Sequence, residues 1–284
     1  MKPEDRRLFH RAGSLALDSA SCVITPDTAG WTYSGLAILD LRAGESYVVP
    51  TATTEVAVLP LAGGCRVQVD DRSFDLTGRA GVFGEVTDWA YVPVASDAVV
   101  TATGDTQVAL CSAEATRRIE AYYVPADEVS VEVRGGGVGT RQINNFLSAD
   151  VHDADKLICV EVLTPPGNWS SYPPHKHDEW SDREVPLEEI YYFRFDRSEG
   201  LGLFSVYTPD GAIDATERVG DGDAVLVPRG YHGPSAPAPG YAMYFLNVMA
   251  GPSENRIWKF TDDPAHSWAR AMLDQLDPDP RLPM

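Results

Sequence analysis

The apolar residues of this 284-residue sequence come in short runs rich in Val, Tyr and Phe, each closed by turn residues. Gly35 to Leu41, Glu55 to Leu61, Arg66 to Asp70, Ala98 to Ala102, Gln107 to Cys111, Ile158 to Leu163, Glu189 to Phe195, Gly202 to Tyr207, Ala224 to Pro228 and Tyr241 to Met249 all have strand length. Almost no helical periodicity separates them, and 24 Gly and 21 Pro punctuate the chain. The pattern predicts an all-β protein of antiparallel sandwiches or barrels, and excludes a βαβ sheet. Two stretches depart from it. Ala113 to Tyr123 reads as a helical turn or an edge strand. Near the carboxy terminus, Asp262 or Asp263 is placed to cap a helix with Pro264 in its first turn, and Trp268, Met272 and Leu276 then predict the stripe that packs on the sheet.

Arg134-Gly135-Gly136-Gly137-Val138-Gly139 breaks any regular strand and reads as a turn or linker. A phosphate-cradling loop is disfavoured, because no Lys-Ser/Thr and no helix pattern follow. A boundary there divides the chain into 1–138 and 139–284, two β-rich halves of similar length.

The balance of 23 basic and 42 acidic residues leaves a formal charge of −19, which opposes phosphate-backbone binding and anionic membrane surfaces. No run approaches the roughly 20 apolar residues of a membrane span. The start, MKPEDRRLFHRAGSLALDSASCVI, is too charged for a secretory signal, so a cytoplasmic protein is expected. Cys22, Cys65, Cys111 and Cys159 form no Cys-x-x-Cys pair and read as buried free thiols.

Chemistry concentrates in the second half. His175 and His177 stand two apart, so on an extended strand both imidazoles share one face while Lys176 turns to the other. Glu188-Glu189 opens the β-prone run that continues to Phe195. After Gly222 a strand ends in the Pro228-Arg229-Gly230 turn, and His232 follows at once. Three imidazoles and a carboxylate on neighbouring strands suit Zn²⁺, Mn²⁺, Fe²⁺ or Ni²⁺. His10, His152 and His266 have no partner at ligand spacing.

These residues resemble the cupin superfamily. Gly167, His175, His177 and Glu189 follow the order of its first motif, and Gly222, Pro228, Gly230 and His232 that of its second. The resemblance selects Glu189 over Glu188, because cupin strands beginning Glu-Glu turn the second carboxylate inward. Two departures stand out. Asp178 to Leu187 is an inserted loop, and the nearest Asn after His232 is Asn247, too late for the motif. More narrowly, SYPPHKHD, EEIYYFRF, GDAVLVPRGYH, YFLNVMAGP and the closing WKF-DDPAHSW resemble the 5-deoxy-glucuronate isomerase family, bicupins related to the 5-keto 4-deoxyuronate isomerases. Gly78 to Phe83 and Trp89 to Pro93 resemble its amino-terminal cupin, which here contains only His10.

The resemblance implies two double-stranded β-helix (jelly-roll) barrels and a short carboxy-terminal helix, with a metal-free first half and a metal-binding second half. It further implies a homo-oligomer and one divalent ion, Zn or Mn ahead of Fe or Ni, held by His175, His177, Glu189 and His232. The implied reaction, a step of myo-inositol catabolism, turns the aldose 5-deoxy-D-glucuronate into the ketose 5-dehydro-2-deoxy-D-gluconate. Moving hydrogen from C2 to C1 needs a polarised carbonyl and a proton carrier, for which Tyr191 is the first candidate and Tyr244 the second, beside a hydroxide on the ion. The substrate carboxylate calls for a guanidinium, Arg229 or Arg141. A cupin dioxygenase using a His3Glu-bound iron or copper ion and a non-enzymatic sugar-binding bicupin are the competing readings.

Overall fold

A computed structural model describes residues 8–284, and the part of the charged amino-terminal start that spans residues 1–7 lies outside them. The fold is the expected all-β bicupin. In the first half, one long bent strand, Thr54–Val69, pairs with Arg72–Arg79, Trp89–Val92, Ala98–Ala102 and Thr106–Glu114, so it belongs to both walls of a barrel. Its interior is aliphatic, with Leu39, Leu41, Val56, Val58, Val67, Val100 and Val108 in contact. Of the stretch Ala113 to Tyr123, Ala113 and Glu114 end the strand Thr106–Glu114, and only Tyr122 and Tyr123 belong to an edge strand, Tyr122–Val124.

The second half is a barrel of two facing sheets. One runs through Phe9–His10, Ala224–Val227, Glu188–Phe195, Met243–Ala250, Ile158–Thr164, Arg141–Leu147 and Ser130–Arg134. The other runs through Asp214–Val219, Gly202–Tyr207, Tyr231–Pro237, His175–Lys176 and Thr261–Asp262. Tyr191, Phe193 and Phe245 from the first meet Phe204 and Val206 from the second inside the barrel. Successive strand residues face opposite ways, so Ile190, Tyr192, Tyr244, Leu246 and Val248 leave the same sheet on its other side. There they pack with Ile38, Leu59 and Cys111 of the first half in one shared core. At roughly 1.5–3 kcal/mol per large apolar side chain fully buried, that core holds the halves together as a unit. Carboxylates staple the seam. Glu188 accepts the backbone N–H groups of Thr32, Tyr33 and Ser34, and Glu55 accepts those of Asp155, Lys156 and Leu157. All four cysteines are free and buried, as expected.

Two sequence expectations are corrected. The glycine run is a hairpin turn, not a linker, because Ser130–Arg134 and Arg141–Leu147 on either side pair with each other in one sheet. The residue-138 boundary therefore falls inside that hairpin, and Phe9–His10 pairs with Ala224–Val227 of the second half. The carboxy-terminal helix forms at Trp268–Leu273, but it buries Ala269 and Leu273 and leaves Trp268, Met272 and Leu276 exposed. The buried pair sits one position, about 100° of helix rotation, away from the predicted stripe. The reason lies in the turn. A Cβ on Gly136 would lie 2.2 Å from the Leu276 carbonyl oxygen and 2.4 Å from that of Leu273, so only bare backbone lets the helix seat there. Gly136→Ala is expected to destabilise the fold by about 1–3 kcal/mol, read as a lowered melting temperature; an unchanged melt would refute this seating.

Candidate metal centre and its cavity

Each wall of the second barrel contributes to the site. Strand pairing sets His175 directly opposite His232 in one sheet, while Glu189 projects inward from the other. The ligand atoms of His177, Glu189 and His232 all lie within 4.8 Å of one another, and the three residues are at most 2% exposed. Glu189 Oε2 stands 2.9 Å from Nε2 of both His177 and His232. Burial opposes the charge on Glu189, yet the His232 and His177 imidazoles hold its carboxyl well below the usual carboxylate range.

The other ring nitrogens explain the orientation. His177 Nδ1 lies 3.0 Å from the Leu187 carbonyl and His232 Nδ1 3.2 Å from that of Gly230. With each Nδ1 set against a backbone carbonyl, each Nε2 is aimed toward Glu189, the orientation that would present its lone pair to a metal. His232 Nε2 is buried and, despite its closeness to Glu189, makes no hydrogen bond of acceptable angle. Two imidazole nitrogens and a carboxylate oxygen, one of them an orphaned buried acceptor, fit a first-row divalent ion. His175 stands at the edge of this group. Its Nδ1 is 3.4 Å from the Pro173 carbonyl, its ring lies 4.5 Å from that of His232 and 6.3 Å from that of His177, and it lines the adjoining cavity half-buried.

The inserted loop holds the ligands rather than supplying one. Lys176 turns away from them and is buried beneath the loop, 2.7 Å from both Asp178 and Glu184. Asp178 accepts the Gly230 N–H at 2.7 Å, which ties the loop to the turn before His232, and the Leu187 N–H closes onto the His177 carbonyl at 2.8 Å.

A cavity that opens to solvent at its mouth adjoins the cluster. Glu189, His175, Tyr191 and Arg141 all line it. Ser171 Oγ lies 3.5 Å from Tyr191 Oη, and burial pushes that phenol well above its usual range. Arg141 is buried, donates to the Gly139 carbonyl and has no carboxylate partner among the described residues. Burial, with Arg134 and Arg270 nearby, pulls it down to about 10. Arg134 lies directly across the hairpin from Arg141, and Arg270 comes from the carboxy-terminal helix, so three guanidinium groups line one cavity.

Two candidates fall elsewhere. Tyr244 has the wrong parity on Met243–Ala250 and packs in the core between the halves, against Phe83 and beneath the Arg79 guanidinium. The polar residue that this strand turns inward is Asn247, paired across from Tyr191 and lining the cavity. It arrives through strand pairing and not through the motif position it missed. Arg229 is half-exposed, lies 3.7 Å from Asp210 and lines a separate surface groove with Trp31 and Pro228. It tops an outward turn, which carries its side chain away from the barrel interior. Sequence reasoning also missed Trp258 and Phe260 as cavity walls. Their spacing of two, one face of an extended segment, was the available signal.

Residues 8–269 match the KduI/IolB family. A protein of Geobacillus kaustophilus named 5-deoxy-glucuronate isomerase is 42% identical over 248 residues, covering 86% of this chain and 88% of its own. The crystal structure of an IolB-like protein from Salmonella typhimurium superposes with a TM-score of 0.86 at 38% identity, covering 92% of this chain and 98% of that one. Oxalate decarboxylase of Lactobacillus farciminis, at 13% identity and a TM-score of 0.63 over 90% of this chain and 88% of its own, shares the fold.

Proposed function

The chain belongs to the KduI/IolB family, and from that membership we propose that it is a metal-dependent aldose–ketose isomerase converting 5-deoxy-D-glucuronate to 5-dehydro-2-deoxy-D-gluconate in myo-inositol catabolism. One observation carries the reading: a single cavity is lined by Glu189 of the metal-type cluster, by His175 at its edge and by Arg141, a buried arginine without a carboxylate partner among the described residues. A uronate asks for both, since one end is a carbonyl beside a hydroxyl and the other a carboxylate.

His177, Glu189 and His232, with His175 at the edge, would hold the ion, which when bound supplies Lewis-acid polarisation of the C1 carbonyl. Arg141 binds the carboxylate through its fork of N–H groups and so fixes which end of the sugar enters first. Tyr191 keeps its proton in this buried setting and offers it to the substrate oxygens. Asn247 stands beside it on the paired strand, facing the same space. The apolar wall of Ile143, Val162 and Phe245 keeps water from the reacting carbons.

Turnover of 5-deoxyglucuronate without oxygen, with the ketose acid as product, is the expected result; an O₂ requirement with an oxidised product would establish dioxygenase chemistry instead. With substrate deuterated at C2, loss of label to solvent would mark proton transfer by an exchanging base, and full retention at C1 a hydride shift. Arg141→Gln is expected to raise KM for the uronate about ten- to a hundredfold relative to a neutral deoxy-aldose. Arg229→Ala should leave KM within about twofold, because its guanidinium lies outside the cavity. The reverse pattern would reinstate Arg229.

A further inference from the structure

Among the cavity walls, Trp258 combines two properties. Its ring packs against the barrel core that includes Ile143, Val162 and Phe245, and its Nε1–H is buried without a hydrogen-bond partner among the described residues. Indole nitrogen is a donor only, so no internal rearrangement of its own lone pairs satisfies it. Nearly all buried donors in folded proteins are paired, and an exception in a cavity points to a group the cavity takes up. The same cavity is lined by Arg141, a buried guanidinium whose one hydrogen bond among the described residues goes to the Gly139 carbonyl. Its two companions differ from it. Arg134 is occupied by Glu132, at 3.0 and 2.7 Å, and Arg270 by Asp262, at 2.7 and 2.6 Å. Among the described residues, Arg141 and Trp258 therefore keep nitrogen donors for a ligand in this pocket, alongside the Tyr191 hydroxyl. Both are cavity residues in a protein of net charge −19, where an uncompensated cationic pocket is the exception.

We propose that the Trp258 indole N–H and the Arg141 guanidinium together form the subsite for the substrate carboxylate, so that Trp258 is a specificity-determining residue that separates uronates from neutral sugars. This rests on the isomerase reading and adds to it a residue from the closing segment of the chain. That segment is held in place at Thr261–Asp262, which pairs with His175–Lys176, and by the Asp262–Arg270 ion pair, so the indole is fixed relative to the ligand strand. Phe260, two residues on, lies tilted against His175 with ring centroids 4.9 Å apart and receives the Arg270 guanidinium over its ring at 5.4 Å. Segment and metal cluster thus share one frame, which sets the span between the carboxylate and the reacting carbonyl.

The test uses the metal-loaded wild-type protein and two unreactive chains of equal length, D-gluconate and D-glucitol, which differ by carboxylate against CH2OH. In a ¹⁵N spectrum the chain has six indole N–H groups. One cross-peak, absent from Trp258→Phe, should move downfield with gluconate and stay with glucitol. Trp258→Phe, which keeps an aromatic ring and removes the donor, should weaken gluconate binding about tenfold or more while leaving glucitol unchanged. If wild type turns over 5-deoxyglucuronate but the Trp258 peak ignores gluconate, or the variant binds it as tightly, the subsite is refuted and the isomerase reading stands. If wild type shows no turnover of the uronate, the isomerase reading itself falls, whatever Trp258 does.

Discussion

Replacing His177 and His232 together by Ala is expected to abolish binding of a divalent ion and to reduce isomerase turnover by at least about a thousandfold. Polarisation of a carbonyl by a bound ion contributes several kcal/mol to transition-state stabilisation, and each 1.4 kcal/mol is tenfold in rate. Both residues offer Nε2 to the same point, and Glu189 alone leaves one anionic oxygen donor where at least three protein ligands are needed. Metal analysis of wild-type protein should give about one equivalent per chain, chelation should remove activity, and re-addition of Zn²⁺ or Mn²⁺ should restore it. Two equivalents, or metal retained in the double variant, would relocate the centre. His175→Ala is expected to cost less, about ten- to a hundredfold in affinity, since this ring stands at the rim of the cluster and half-buried. Losses as large as those of the double variant would promote His175 to a full ligand.

Glu161→Ala should unfold the protein about 10 °C earlier than wild type. Glu161 and Arg79, 82 positions apart, form a fork of two hydrogen bonds at 2.9 and 2.7 Å with both side chains at most 1% exposed. Asn144 donates to the same carboxylate at 2.7 Å, and Gln142 in turn donates to Asn144 at 2.9 Å. Removing the carboxylate leaves a guanidinium buried between the halves without a counter-charge, a loss of about 3–5 kcal/mol, or a few degrees per kcal/mol in a chain of this size. Arg79→Met combined with Glu161→Leu should be much milder, because neither charge then remains to be solvated. A double variant as unstable as the single one would mean that the pair itself, and not the avoidance of a lone charge, stabilises the seam. Thermal melts of the three variants decide between these outcomes.

Much of the second half could be read without coordinates. The His-x-His spacing, the strand opened by Glu188-Glu189 and the histidine after Pro228-Arg229-Gly230 are local patterns, and the structure brings His177, Glu189 and His232 together. Lys176 was correctly turned to the other face by period-two geometry, though the loop that buries it was invisible to that argument. Arg141 and Arg229 looked equivalent because each follows a glycine-rich or proline turn. Only the sheet decides between them: Arg141 starts a strand whose inward face meets the cavity, whereas Arg229 stands on the crest of a turn. The ion pair of Arg79 and Glu161 carries no sequence signal at all, since neither residue has a neighbour that anticipates its partner.

By itself, then, the order of residues determined an all-β chain, because short β-branched and aromatic runs between turn residues have no other stable arrangement, and it determined the residue types of a metal site through local spacing. What only the tertiary structure decided was the direction each side chain takes. Met243–Ala250 and Glu188–Phe195 are covered on both faces, one by the barrel interior and the other by the neighbouring half. Such strands show no polar and apolar alternation that marks inside from outside. Parity along them is therefore set by pairing with distant strands, which sends Tyr191 and Asn247 into the cavity and Tyr244 into the seam, while the closing segment brings Trp258 to the cavity that Arg141 also lines.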